Sequence, residues 1–408
     1  MLSTIRAETN LTIFPALNLV NRLKFRKTAS PIDVLEVMAS LAPTINYTVP
    51  FLKFNVCIFF PDGYFTTVFT DLGVCHQFNG IHQSELLRYP SFENFTFAGE
   101  VQKKSTWSLS EGYAKNTDEE TVYPQRARIS GKKGGIFLAI QGLLADIDYL
   151  CRGAVEGFSL QLLAPDEFPA AHKQYIRGSF GKDVGMIIKP SLITTSDNLR
   201  DSPWQSRHCF FADERYLRFF KTYSQDKCAF ECLTNYTYAK CNCVKFSMPH
   251  TKDMPICQAA DIPCYYQAED DLLRNEFEFE LSGKSKDFTS CNCLPACTSL
   301  KYEVEIGETK LYYEELLRAL RDTDYMIENS GLQMGRFSIY FRHQNFIGIQ
   351  RSMLYSTTDF LASCGGLLGL FLGMTVLSFV EIFYFFTMRL IANLRLRWKS
   401  PEFKLYIE

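Results

Sequence analysis

Apolar positions along this chain follow three different spacings. In the first half they form short runs punctuated by Gly, Pro and Asn, the pattern of strands and turns. Residues 55–79 read as two strands flanking a Pro61-Asp62-Gly63 turn, a hairpin signal. Residues 135–144 and 157–163 read as further strands, ended by Pro165 and Pro169. Residues 336–342 alternate polar and apolar, as a half-buried strand does. Helical spacing appears between these regions. Tyr216, Leu217, Phe219 and Phe220 predict a helix over residues 212–223, and Ser224 caps a second one running through Cys228 and Cys232. Residues 311–321 form a third, amphipathic helix.

The third spacing is continuous. Residues 360–380 are 21 positions without a charge, about 30 Å as a helix and enough to cross a hydrocarbon core. Gly365, Gly369 and Gly373 recur every four residues, which on one helix gives a flat face for close helix packing in lipid. Thr375 follows, and Glu381 stands near the inner end, where an ionisable side chain is costly unless it faces protein or water. On pattern alone a single-pass anchor remains the alternative.

Composition narrows the compartment. Of 14 cysteines in 408 residues, ten lie between Cys209 and Cys297, a density that means disulfides in an oxidising compartment or structural zinc. Cys228 and Cys232 share a helix face, and Cys291 and Cys293 share a face of an extended segment, so two rungs could tie the segments together. Zinc is disfavoured because Cys241-Asn-Cys243 and Cys291-Asn-Cys293 leave one-residue gaps, which strain a tetrahedral site. Sequons at Asn10, Asn46, Asn94 and Asn235 precede the apolar run, as expected of an extracellular region. Arg389, Arg395, Arg397 and Lys399 come after the helix, with no acid between Arg389 and Glu402, the charge bias of a cytoplasmic end. A net charge of −2 argues against a nucleic-acid partner. His172, His208, His250 and His343 lack partners at metal-ligand spacing, and no catalytic or phosphate-binding motif occurs, so neither enzyme nor cofactor is expected. Thirty-five Phe favour a large core with many strands.

Residues 367–381, LLGLFLGMTVLSFVE, resemble the second transmembrane helix of the degenerin/epithelial sodium channel family. That family has a G-x-S filter tripeptide, matched here by Gly373, Met374 and Thr375; Met374 is bulkier than usual, and Tyr384 replaces a family Asp. The strand Thr70-Asp71-Leu72-Gly73-Val74-Cys75-His76-Gln77-Phe78-Asn79 resembles a family palm strand, and residues 107–113 with Tyr123-Pro124-Gln125-Arg126 resemble the insect pickpocket branch. The polar stretch 115–120 between them reads as a loop. Phe14-Pro15-Ala16 with Val20 and Asn21 resembles a motif that follows a first transmembrane helix, so a subunit lacking its cytoplasmic N-terminus and first helix is expected.

The resemblance implies an α+β fold: a disulfide-rich extracellular domain over residues 1–354, with a β-sheet palm and a Cys-rich helical thumb about residues 205–300. A pore-lining transmembrane helix over 355–390 and a cytoplasmic tail over 391–408 would follow. It implies disulfides Cys209–Cys297, Cys228–Cys293, Cys232–Cys291, Cys241–Cys264 and Cys243–Cys257. Cys57, Cys75, Cys151 and the membrane-helix Cys364 are left over; Val20 stands where the family partner of Cys75 would be, so Cys75 is free or pairs with Cys57 or Cys151. A gate at Ala362 and Ser363 is implied, with Gly365, Gly369 and Glu381 as the packing and charged positions of the pore helix. The implied protein is a sodium-selective, amiloride-sensitive plasma-membrane channel subunit in a homo- or hetero-trimer. A non-conducting cell-surface binding protein or regulatory fragment is the competing class.

Overall fold

Short apolar runs buried almost throughout, at residues 65–70, 73–78, 136–143 and 158–162, make the core strands of this protein, as its computed structural model shows, whereas residues 51–54 alternate. The structure describes residues 5–9, 34–55, 57–59, 63–89, 103–114, 122–143, 156–169, 175–282, 291–320, 331–373 and 375–399. The described strands are β1 (Ile5–Thr9), β2 (Phe51–Phe54), β3 (Cys57–Phe59), β4 (Phe65–Thr70), β5 (Gly73–Phe78), β6 (Trp107–Ser108) and β7 (Gly112–Tyr113). They continue with β8 (Ile136–Leu143), β9 (Phe158–Leu162), β10 (Ile176–Gly178), β11 (Lys182–Thr195), β12 (Ser299–Lys310), β13 (Leu332–Phe341) and β14 (Ile349–Arg351). The longer helices are α1 (Val34–Leu41), α2 (Gln225–Cys241), α3 (Ile262–Ser282), α4 (Tyr313–Leu320), α5 (Thr357–Leu372), α6 (Val376–Phe383) and α7 (Leu390–Lys399).

The chain divides into two units, Met1–Arg351 and Ser352–Glu408. In the first, an antiparallel sheet of order β10-β9-β1-β5-β4 faces a mixed sheet of order β12-β11-β13-β8-β2-β3, with β14 also paired to β11. Leu52, Phe54, Ile136, Leu138, Met186, Phe337 and Ile339 from the mixed sheet pack with Phe65, Phe78, Phe158 and Leu160 from the other. This is the main core, and the fold is α+β.

Two local expectations are corrected. The strands either side of residues 60–64 do not form a hairpin with each other: β3 pairs β2 in one sheet, and β4 pairs β5 in the other. The tight turn falls instead at Thr70-Asp71-Leu72-Gly73, where Gly73 takes φ 109° and the Thr70 hydroxyl donates to Gly73 O at 3.1 Å. Residues 212–223 form turns rather than a helix. Their backbone finds non-local partners: Arg218 N and Phe219 N both donate to the Glu231 carboxylate at 2.9 Å, and Arg88 N donates to Phe219 O. Leu217, Phe219, Phe220 and Tyr223 are nevertheless buried, because α2 and its surroundings enclose them.

The second unit is helical. α5, α6, a π-helical turn at Tyr384–Arg389 and α7 follow one another, so the helix extends past residue 390 as far as Lys399. Val376–Leu396 is long and apolar enough to cross a membrane, and Thr358–Leu372 is a shorter apolar helix.

Candidate functional site

The apolar run is not one helix. α5 begins with a capping box: Asp359 N donates to Ser356 Oγ at 3.1 Å, and Ser356 N donates back to the Asp359 carboxylate at 3.0 Å. The helix stops at Gly373, whose φ of 62° lies in the left-handed region. Thr375 then caps α6 in a second reciprocal pair: Ser378 N donates to Thr375 Oγ1 at 3.4 Å, and Thr375 N donates to Ser378 Oγ at 3.3 Å. One residue that closes a helix and one that opens the next therefore stand two positions apart. Met374, between them, lies outside the described residues.

This break changes the reading of the glycine face. Gly365 and Gly369 share α5, but Gly373 has left it, so the three do not form one continuous helical stripe. A methyl group at Gly365 or Gly373 would meet nothing within 4 Å. Ala362 and Ser363 are exposed on α5, and Glu381 is exposed on α6. Val376, the first residue of α6, is 81% exposed, so this apolar surface requires lipid or other chains to cover it. The Ser356-Thr-Thr-Asp359 spacing preceding an apolar run is a legible capping signal that sequence reasoning did not use. The pairing of Ser378 with Thr375 was also missed.

In the first unit, α2 starts at Ser224, whose hydroxyl accepts from Lys227 N at 3.2 Å. Its Cys228 and Cys232 bond to Cys293 and Cys291, with Cα separations of 5.7 and 6.1 Å. Cys209–Cys297 closes the base of this ladder, and Cys241–Cys264 and Cys243–Cys257 tie the far end of α2 to α3 and the segment before it. Glu276 lies with Cys232 and Cys291 at metal-ligand spacing, but those two sulfurs are bonded to each other. Arg207 braces the same region, donating to the carbonyls of Leu199, Arg200, Ser202 and Cys209 and pairing with Glu214. Cys57 is exposed on β3, while Cys75 is buried on β5 with its sulfur 3.2 Å from Thr70 Oγ1, and the two are not joined. Cys364 is half-buried on α5, and Cys151 lies outside the described residues. Asn46 and Asn235 are exposed; Asn10 and Asn94 lie outside the described residues.

Among the groups in this unit whose titrations are displaced are a histidine and a carboxylate, His76 and Glu167. Burial lowers His76 to about 4, against a Pro43 carbonyl that accepts its Nε2 and partly offsets the effect. Burial raises Glu167 to about 7, opposed by Lys227 and reinforced by Asp166 and Asp226. Glu167 accepts from the Ser224 hydroxyl at 3.0 Å, at the first turn of the helix that carries the cystine ladder.

The chain matches the family described as amiloride-sensitive sodium channel over residues 17–385. Pickpocket protein 28 of Drosophila melanogaster is 26% identical over 80% of this chain and 53% of its own length. Sodium channel protein Nach of Drosophila ananassae is 28% identical over 61% of this chain and 46% of its own. Acid-sensing ion channel 1A of Danio rerio is 25% identical over 40% of this chain and 31% of its own. The chain thus spans about half the length of the first two relatives.

Proposed function

Because the chain belongs to the amiloride-sensitive sodium channel family, we propose that it is a pore-forming subunit of a sodium-selective, amiloride-sensitive plasma-membrane channel. The proposed assembly is a trimer, of this chain alone or with related subunits. The observation that carries the reading is the helix break at Gly373 and Thr375. Freed backbone in hydrocarbon is tolerated only where it faces protein or water. The last-turn carbonyls of α5 lack intrahelical donors, and they sit at the negative end of the helix dipole. Carbonyl oxygens of this kind replace water around a cation. Three chains about an axis would bring three such breaks together, with Gly373, Met374 and Thr375 as the filter.

Other positions take supporting roles in this proposal. Small side chains at Ala362 and Ser363 let α5 helices meet above the filter and form the gate. Gly365 and Gly369 permit close packing. Glu381 places negative charge on the inner side, attractive to sodium. The first unit lies outside the cell, glycosylated at its sequons, and the basic residues from Arg389 onward lie at the cytoplasmic side. Co-expressed with a pickpocket-type subunit in oocytes, the chain should reach the surface and add or alter an amiloride-blocked inward sodium current. Surface chain that leaves current and block unchanged would overturn the reading.

A further inference from the structure

β11 pairs in parallel with β13 over Asp183–Ile188 and then with β14 over Ile193–Thr195, leaving an interval at residues 189–192 without a ladder partner on that side among the described residues, at whose edge Arg342 N donates to Ile188 O at 3.0 Å. Pro190 falls in that interval and has no N–H to offer an edge partner. The link between Phe341 and Ile349 belongs to neither strand. On the other side, Gly131 N donates to Phe341 O at 3.0 Å and holds the segment before β8 against the opening. The result is a cavity of about 150 Å³ within the first unit.

Its walls are apolar: Leu300 and Tyr302 from β12, Phe341 at the end of β13, and Phe346 from the link to β14. Arg128 and His343 also line it, and among the described residues no carboxylate does. A cavity of this size with aliphatic and aromatic walls holds a single aromatic ring. The planar guanidinium of arginine matches a carboxylate. We propose that this cavity is a binding site for a monocyclic aromatic carboxylate, its ring between Leu300, Tyr302, Phe341 and Phe346 and its carboxylate toward Arg128. The site is independent of the channel reading, since it lies within one unit of one chain and is tested by binding rather than current.

The test is ligand-observed fluorine NMR on the full chain in lipid nanodiscs, with 4-fluorobenzoate and its neutral counterpart 4-fluorotoluene as probes. The 4-fluorobenzoate line should broaden and recover on adding excess benzoate. Phe346→Ala, at a residue 50% exposed and therefore tolerant of truncation, should weaken both probes by about fivefold or more. Arg128→Gln should weaken 4-fluorobenzoate by about fivefold and leave 4-fluorotoluene unchanged. Absence of broadening, or broadening unaffected by Phe346→Ala, would overturn the site. Binding of 4-fluorobenzoate that Arg128→Gln leaves intact would overturn the assignment of a carboxylate ligand.

Discussion

Replacing Gly373 by alanine isolates the role of the helix break. A methyl group there meets nothing within 4 Å, so crowding contributes nothing and the cost is the positive φ of 62°. An L-residue in that conformation costs about 1–2 kcal/mol. Alanine also favours an uninterrupted helix over glycine by about 1 kcal/mol. The two effects act in the same direction and together bias the chain toward a continuous helix by about 2–3 kcal/mol, roughly thirty- to 150-fold in population. Gly373→Asn is the control, because asparagine visits the left-handed region at lower cost. Whole-cell sodium current normalised to surface protein should fall by at least tenfold in Gly373→Ala and much less in Gly373→Asn. Equal currents in both variants and in the parent would refute the reasoning that conduction depends on the break.

The remaining predictions address separate parts of the molecule. His76 is held neutral in the fold, so its contribution is complete above pH 6.5 and is lost as pH falls through about 4, worth roughly 3 kcal/mol. Glu167 has the opposite sign: its raised titration favours the fold below pH 4.5, and that advantage is lost as pH rises through about 7, so thermal melting of Glu167→Gln should show a flatter decline over that window. Removing the Cys232–Cys291 rung by Cys232→Ser with Cys291→Ser opens a closure of 59 residues and should cost roughly 2–4 kcal/mol in denaturant unfolding under oxidising conditions; no change would deny the rung a stabilising role. Ala362→Val should overpack the closed gate by about 1–3 kcal/mol and raise the open-to-closed ratio roughly five- to 150-fold, read as standing sodium current. Confirmed surface channels with no standing current would remove Ala362 from the gate.

How much of this was legible in the residues varies with the range of the interactions involved. Strands β8, β9 and β13 were legible because each carries its own apolar pattern, whereas the α+β class entered through the family resemblance. Ser224 announced α2 because a cap is a local device. The hairpin at residues 60–64 was misread because turn residues show where the chain bends and not which sheet receives each strand. Residues 212–223 carry helical spacing, yet Glu231 and Arg88 claim their backbone from 13 and 131 positions away, which no local pattern reveals. At the candidate site, the apolar length was plain. The break was written in Gly373 followed by Thr375 and Ser378, but a periodicity of four in the glycines masked it. The cystine pairs entered through family resemblance, since spacing alone admits many connectivities.

In the proposed channel, residues 373–375 select sodium. The most direct measurement is the shift in reversal potential of the amiloride-blocked current when external sodium is replaced by potassium, in oocytes carrying this chain with a pickpocket-type subunit. A large negative shift is predicted for the parent chain, and a smaller one for Thr375→Ala, which removes the hydroxyl that lies at the break and caps α6. No shift in the parent, or an identical shift in Thr375→Ala at equal surface expression, would contradict the account.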